Sequence, residues 1–221
     1  MAVFTKDFIT FFKGLGKNNN REWFQEHKKD YENHVKEPFN EFLREAIAGV
    51  QKFDDEVNIE PKDAAFRIYR DIRFSKDKTP YKDHVGAVIS REGRKGKDYP
   101  GFYTHISASS VWIGGGAYFL EKEKLRKVRQ EIVYHHDEFS KLINDKNFKA
   151  KFGELQGDKN KIIPKEFKAD LEKEPLIANK QFYYMATLAV EEIVKDDFVQ
   201  KMVDYMKAGH KFNLFLRRAM S

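Results

Sequence analysis

The chain of 221 residues has no cysteine. This absence removes disulfides, thiolate zinc sites and cysteine nucleophiles together, and it fits a reducing compartment. There is also no run of about 20 apolar residues, the length a helix needs to cross a bilayer. The start, Met1 to Gly16, has no basic patch followed by an apolar core, so it does not read as a signal peptide. Proline is scarce, and no Gly/Ser/Pro-rich linker or internal repeat interrupts the chain. These absences predict a soluble, cytoplasmic protein with no membrane partner, folded as a single domain over residues 1–221.

What is abundant is aromatic and charged. Twenty Phe and ten Tyr can supply a large core although 34% of residues are charged. The 41 Lys and Arg against 35 Asp and Glu give a net charge of +6, with the signs mixed nearly everywhere. That balance permits an anionic partner without demanding nucleic acid.

Apolar spacing places the helices. Phe8, Ile9, Phe11, Phe12 and Leu15 make a first stripe, which Gly14 and Gly16 bring to an end. A second helix opens at Asn18-Asn19-Asn20, with Asn19 and Glu22 spaced as a capping box. Phe24, His27, Tyr31 and Val35 form its apolar side. Pro38 suits the first turn of a third helix, with Phe39, Phe42, Leu43, Ala46, Ile47 and Val50 facing inward. A fourth runs from Glu121 to Tyr134. Residues 137–180 predict short helices and loops. Two helices close the chain, one marked by Phe198, Met202, Tyr205 and Met206 and one by Phe212, Leu214, Phe215 and Leu216. Strands are predicted over 66–74, 85–90, 102–108, 111–119 and 182–190. The expected fold is α+β: about five strands, antiparallel or mixed, covered on one face by helices from both ends of the chain.

The densest chemistry lies in Phe66 to His84, which holds six cations, three carboxylates, two tyrosines and two phenylalanines. Phe66, Ile68, Ile72 and Phe74 alternate with Arg67, Tyr69, Asp71 and Arg73, the pattern of a half-buried strand. Arg70 breaks the alternation by falling on the apolar face. A buried unpaired charge is costly, so Arg70 implies either a structural ion pair or a seat for a bound anion. Ser75 to Pro80 then reads as a loop presenting Lys76 and Lys78, and Tyr81, Lys82 and His84 follow. Guanidinium forks suit phosphate and carboxylate oxygens, and Tyr69 and Tyr81 add stacking surface. A second arginine, Arg129, lies in the apolar stripe of the 121–134 helix. It reads as a core ion pair or, if it meets Arg70, as part of the same seat.

Other chemistry is weaker. Gly14-Leu15-Gly16 follows no strand and lacks the third glycine of a dinucleotide loop. Gly114-Gly115-Gly116 inside a strand implies a bulge, an aromatic packed close, or N–H groups facing an anion. His27 and His34, seven residues apart, would stand about 10.5 Å apart along a helix, too far to share a metal. His135-His136-Asp137 are adjacent and diverge, so no metal site is expected. Ser75 and Lys78 have the spacing of serine acyl-enzymes without that motif's companions. Asp71 and Asp77 would be held ionised by neighbouring arginines.

Asn18 to Phe24, Phe66 to Asp71 running on to Lys78-Thr79-Pro80-Tyr81-Lys82, and Gly114-Gly115-Gly116 ahead of Leu125 and Arg129 resemble domain-of-unknown-function family 2461, a family of conserved hypothetical proteins. The likeness runs from about residue 5 to residue 217. Two positions depart from the family pattern: Asp83 stands where a threonine is usual, and Phe119-Leu120 where a proline often is. The resemblance implies a single domain built on these stretches and carries no activity.

The expected function is binding of an anionic ligand, phosphate-bearing by preference. Arg70, Arg73, Lys76, Lys78 and Lys82 would supply charge, Tyr69 and Tyr81 stacking, Asn20 and Trp23 a neighbouring wall, with Arg129 if it converges. The rivals are an enzyme on that site, with Asp71 or His84 in proton transfer, a nucleic-acid module and a protein-interaction module. Neither cofactor nor oligomeric state is readable.

Overall fold

The computed structural model describes residues 1–221. Its first helix, α1 (Lys6–Lys17), begins at Thr5, whose side chain accepts from the Asp7 N–H. For α2 (Arg21–Glu26) the cap is Asn20, whose Oδ1 accepts from the Trp23 N–H at 2.9 Å. The cap predicted at Asn19 thus falls one residue later, and the Asn19 side chain is used elsewhere. α3 (Lys28–Tyr31) passes through a π turn at Glu32–Lys36 into α4 (Glu37–Gln51). Pro38 has no N–H to donate back to the His34 carbonyl, a physical reason for the helix to widen one turn before it. α5 (Pro61–Ala64) is a single capped turn.

The sheet has four strands rather than five: β1 (His84–Ile89), β2 (Gly101–Ser107), β3 (Ser110–Ala117) and β4 (Phe182–Ala189). They are antiparallel, in the order β1-β2-β3-β4. Ser107 closes the β2–β3 hairpin, its Oγ accepting from the N–H groups of Ser109 and Ser110. The long excursion from β3 to β4 holds α6 (Lys122–Tyr134), α7 (His136–Ile143) and α8 (Lys146–Phe152).

The expected strand at 66–74 is a correction. Phe66 donates to Gly86 O at 2.9 Å, and then the segment leaves β1 and pairs with its own continuation. Arg70 N–H donates to Pro80 O at 2.9 Å and Lys82 N–H to Ile68 O at 2.8 Å, leaving Tyr69 and Tyr81 directly opposite each other. Pro80 has no N–H to return to Arg70, so the ladder stops there. The alternation is local and real, but the chain supplies too few partners to make a fifth strand.

α9 (Phe198–Met220) is one helix of 23 residues where two were expected. The two apolar groups are joined without a break through Gly209. In the fold, the Tyr184 ring occupies the space where a side chain at 209 would stand.

Register fixes the two faces of the sheet, because alternate residues point to opposite sides. Val85, Ala87, Ile89, Phe102, Ile106, Val111 and Ile113 enter the larger core cluster with α1, α4 and the start of α9. Phe182 and Tyr184 enter a second cluster with α6, α7, α8 and the end of α9. Helices from both ends of the chain thus cover one face. The outer face carries His84, Tyr103, His105, Trp112, Tyr183 and Met185. No helix is long and apolar enough to cross a membrane.

Candidate functional site

The short ribbon formed by residues 68–70 and 80–82 holds the candidate site. Tyr69 and Tyr81 form the pair in which antiparallel side chains stand closest, and their ring centroids are 5.3 Å apart. Tyr81 is only 3% exposed and stacks on Phe24 of α2 at 4.0 Å. Asn19 ties this ribbon to the N-terminal helices. Its Nδ2 donates to Tyr81 O at 3.0 Å and its Oδ1 accepts from Tyr81 N–H at 3.1 Å, as a neighbouring strand would.

Docking α2 on the ribbon creates a cavity of about 410 Å³, lined by Arg21, Gln25, Tyr69, Arg70, Ile72, Pro80 and Tyr81. Arg21 and Gln25 are four residues apart and so share a helix face. Asn20 and Trp23, the predicted wall, are turned away. Asn20 caps the helix, and Trp23 stacks on His27 at 4.0 Å. Sequence reasoning missed Arg21 and Gln25. Their i, i+4 spacing was visible, but not the surface that face would meet.

The cations divide by partner. Arg70, on the cavity wall, is bonded through Nη1 to Asp77 and to the Thr79 hydroxyl, with Ser75 Oγ 3.5 Å from Nη2. The Asp77 carboxyl is drawn down to about 2, chiefly by the Thr79 backbone N–H and then by Arg70. Arg73 forks onto Asp71 at 2.9 and 2.7 Å and is 76% exposed, outside the cavity. The same fork holds Asp71 down at about 2. Lys78 Nζ caps Ile72 O at 2.9 Å, and Lys82 Nζ donates to Arg67 O at 2.9 Å over the Phe66 ring. Burial lowers the Lys82 pKa, and the Arg67 charge adds to it. Lys76 is exposed. Of the ten binding residues named from the sequence, Tyr69, Arg70 and Tyr81 come together.

Arg129 lies far from this group. Buried at 4% exposure, it donates from Nε to Ile177 O at 2.8 Å and from Nη2 to Asn179 O at 3.2 Å. It ends the turn Pro175–Ala178, as cations do at helix C-termini, and its partners are carbonyls rather than the expected carboxylate. His84 also lies apart, on the outer face of β1, with Asp83 Oδ1 2.8 Å from its Nδ1.

What remains unpaired defines what the cavity can do. Arg21 has no carboxylate within 4.0 Å; the hydroxyls of Tyr69 and Tyr81 make no hydrogen bond within the chain. Burial, then the neighbouring Tyr69, raises the Tyr81 pKa, so its phenol keeps its proton. Tyr31, behind Tyr69, is raised to about 12, again mainly by burial. The cavity therefore offers phenol and guanidinium donors, with neither carboxylate nor imidazole on its wall.

A comparison with curated proteins finds no match. The pattern of the conserved hypothetical protein family DUF2461 spans residues 7–215, taking in α2, the ribbon, the whole sheet and most of α9, and the chain belongs to that family.

Proposed function

We propose that the chain binds a small anionic, phosphate-bearing ligand between Arg21 and the Tyr69–Arg70–Tyr81 ribbon. One observation carries this reading: donors without acceptors converge on one cavity. Arg21 would fork onto two oxygens, the phenols would donate to others, and Arg70, fixed by Asp77, would add charge at the back wall. Arg73, Lys76, Lys78 and Lys82 contribute to the surrounding positive field rather than to contact.

Binding is favoured over catalysis because the cavity wall carries no carboxylate and no imidazole. Asp71 is committed to Arg73, and His84 faces another part of the molecule. The cavity, of about 410 Å³, suits a small molecule better than a nucleic-acid strand.

A thermal-shift screen against inorganic phosphate, phosphosugars, nucleotides and polyphosphates tests the proposal. A ligand at roughly 100 times its Kd should raise the Tm by about 5–10 °C for a chain of this length. Arg21→Gln, on an exposed helix face, should abolish the shift without lowering the ligand-free Tm. A screen with no hit, or a hit indifferent to Arg21→Gln, contradicts it.

A further inference from the structure

The outer face of the sheet holds a second and larger cavity, of about 1010 Å³, which the ribbon's anion seat does not use. Its floor includes Tyr103, Trp112, Tyr183 and Met185, and Phe66, Tyr118 and Phe119 stand around it. Three observations specify what fits there.

The first is exposure. Trp112, Tyr118 and Phe119, all lining this cavity, are 40%, 55% and 59% exposed. Contiguous exposed aromatic surface in a concave site marks a place where something binds.

The second is a stack already built. His84 lies on His105 at 3.9 Å and 19°, and His105 on Trp112 at 4.2 Å and 18°. The three rings come from β1, β2 and β3: His105 and Trp112 are register partners, and His84 lies diagonal to His105, whose own partner is Gly86. The column ends at the indole of Trp112, which is also part of the cavity lining. A flat ring entering there would continue the column.

The third is charge. Arg94, Lys95 and Lys97 line the mouth. Lys95 and Lys97 have no carboxylate within 4.0 Å, while Arg94 Nη1 donates to Ala65 O at 3.1 Å. Two carboxylates also face the cavity: Asp98, which is paired with Lys124, and Glu121. The mouth is net positive.

A flat ring and an anionic group are the two ends of a nucleotide. We propose that this cavity binds a mononucleotide, its base stacked on Trp112 and its phosphate held by Lys95 and Lys97. The proposal does not rest on the ribbon seat, and either can fail alone.

The test is calorimetric titration of the full chain with adenosine 5′-monophosphate, in an Arg21→Gln background so that a phosphate taken by the ribbon is silent. Ribose 5-phosphate lacks the base and adenosine lacks the phosphate; each should bind more weakly by about tenfold or more. Trp112→Leu should weaken the nucleotide by a similar factor, and by far less the ribose phosphate. Should Trp112→Leu not fold, Lys95→Ala with Lys97→Ala, in an exposed loop, gives the same reading from the phosphate end. No binding at millimolar nucleotide overturns the proposal, as does binding indifferent to both variants. Binding of a single-stranded oligonucleotide without any mononucleotide binding also overturns it.

Discussion

His105 is the residue whose environment makes the sharpest demand. It is 7% exposed, stacked between His84 and Trp112, with the Tyr103 hydroxyl 3.4 Å from Nδ1. Burial, and then the His84 ring, lower its pKa from 6.5 to about 4, against a smaller opposing pull from Asp83. The folded chain therefore binds a proton at His105 less readily than the unfolded chain. Stability contributed by the neutral ring is complete above pH 6.5 and falls as pH drops through the window down to about 4. NMR titration of the His105 ring should give a midpoint near 4, and His105→Gln should flatten the acid limb of the stability curve. A midpoint near 6.5 contradicts the stack as described. This position was open to sequence reasoning only in part. Alternation on β2 puts His105 on the outer face, but the rings beside it come from other strands, which no local pattern names.

At the scale of elements, α9 and the ribbon make opposite points about what a sequence discloses. Most of the apolar positions of α9 were legible, though Leu214 is 44% exposed and Val199 and Val203 are buried unpredicted, and its continuity was not. Gly209 lies between the two apolar groups. A Cβ at 209 would stand 2.0 Å from Tyr184 Oη, and one at Gly115 2.4 Å from it, so both glycines make room for one tyrosine. That hydroxyl donates to Asn213 Oδ1 at 3.2 Å, and Asn213 Nδ2 donates to Gly101 O at 3.1 Å, fastening the helix to the sheet. Gly209→Ala should destabilise by about 1–3 kcal/mol through overpacking, despite the better helix propensity of alanine. A urea midpoint at or above that of the wild type would show the contact to be slack. The ribbon shows the reverse case. Its alternation predicts a strand, but hydrogen bonding depends on who lies alongside, and the missing N–H of Pro80 ends the pairing. The side-chain chemistry of Phe66 to His84 was readable. The carboxylates that absorb Arg70 and Arg73 come from the stretch itself, while the uncommitted guanidinium comes from α2.

For the whole molecule, the two core clusters share Ala186 and Tyr205 at their boundary, and α9 runs through both. Burial of that helix against each cluster couples them. We expect one cooperative unfolding transition, with tryptophan fluorescence and far-ultraviolet circular dichroism superimposing; two resolved transitions would divide the chain into separate domains. The helices on one face follow from patterns of short range, which left the sheet antiparallel or mixed; it is antiparallel throughout. The grouping of Arg21 with Tyr69, Arg70 and Tyr81 follows from how α2 docks, which only the folded chain contains. The most direct test of that grouping is calorimetric titration of inorganic phosphate into the wild type and Tyr81→Phe. The substitution keeps the ring on Phe24 and removes one hydroxyl. If that phenol donates to a bound anion, affinity should fall about tenfold or more with stability unchanged. Equal affinity in the two proteins, or no phosphate binding by either, contradicts the anion seat.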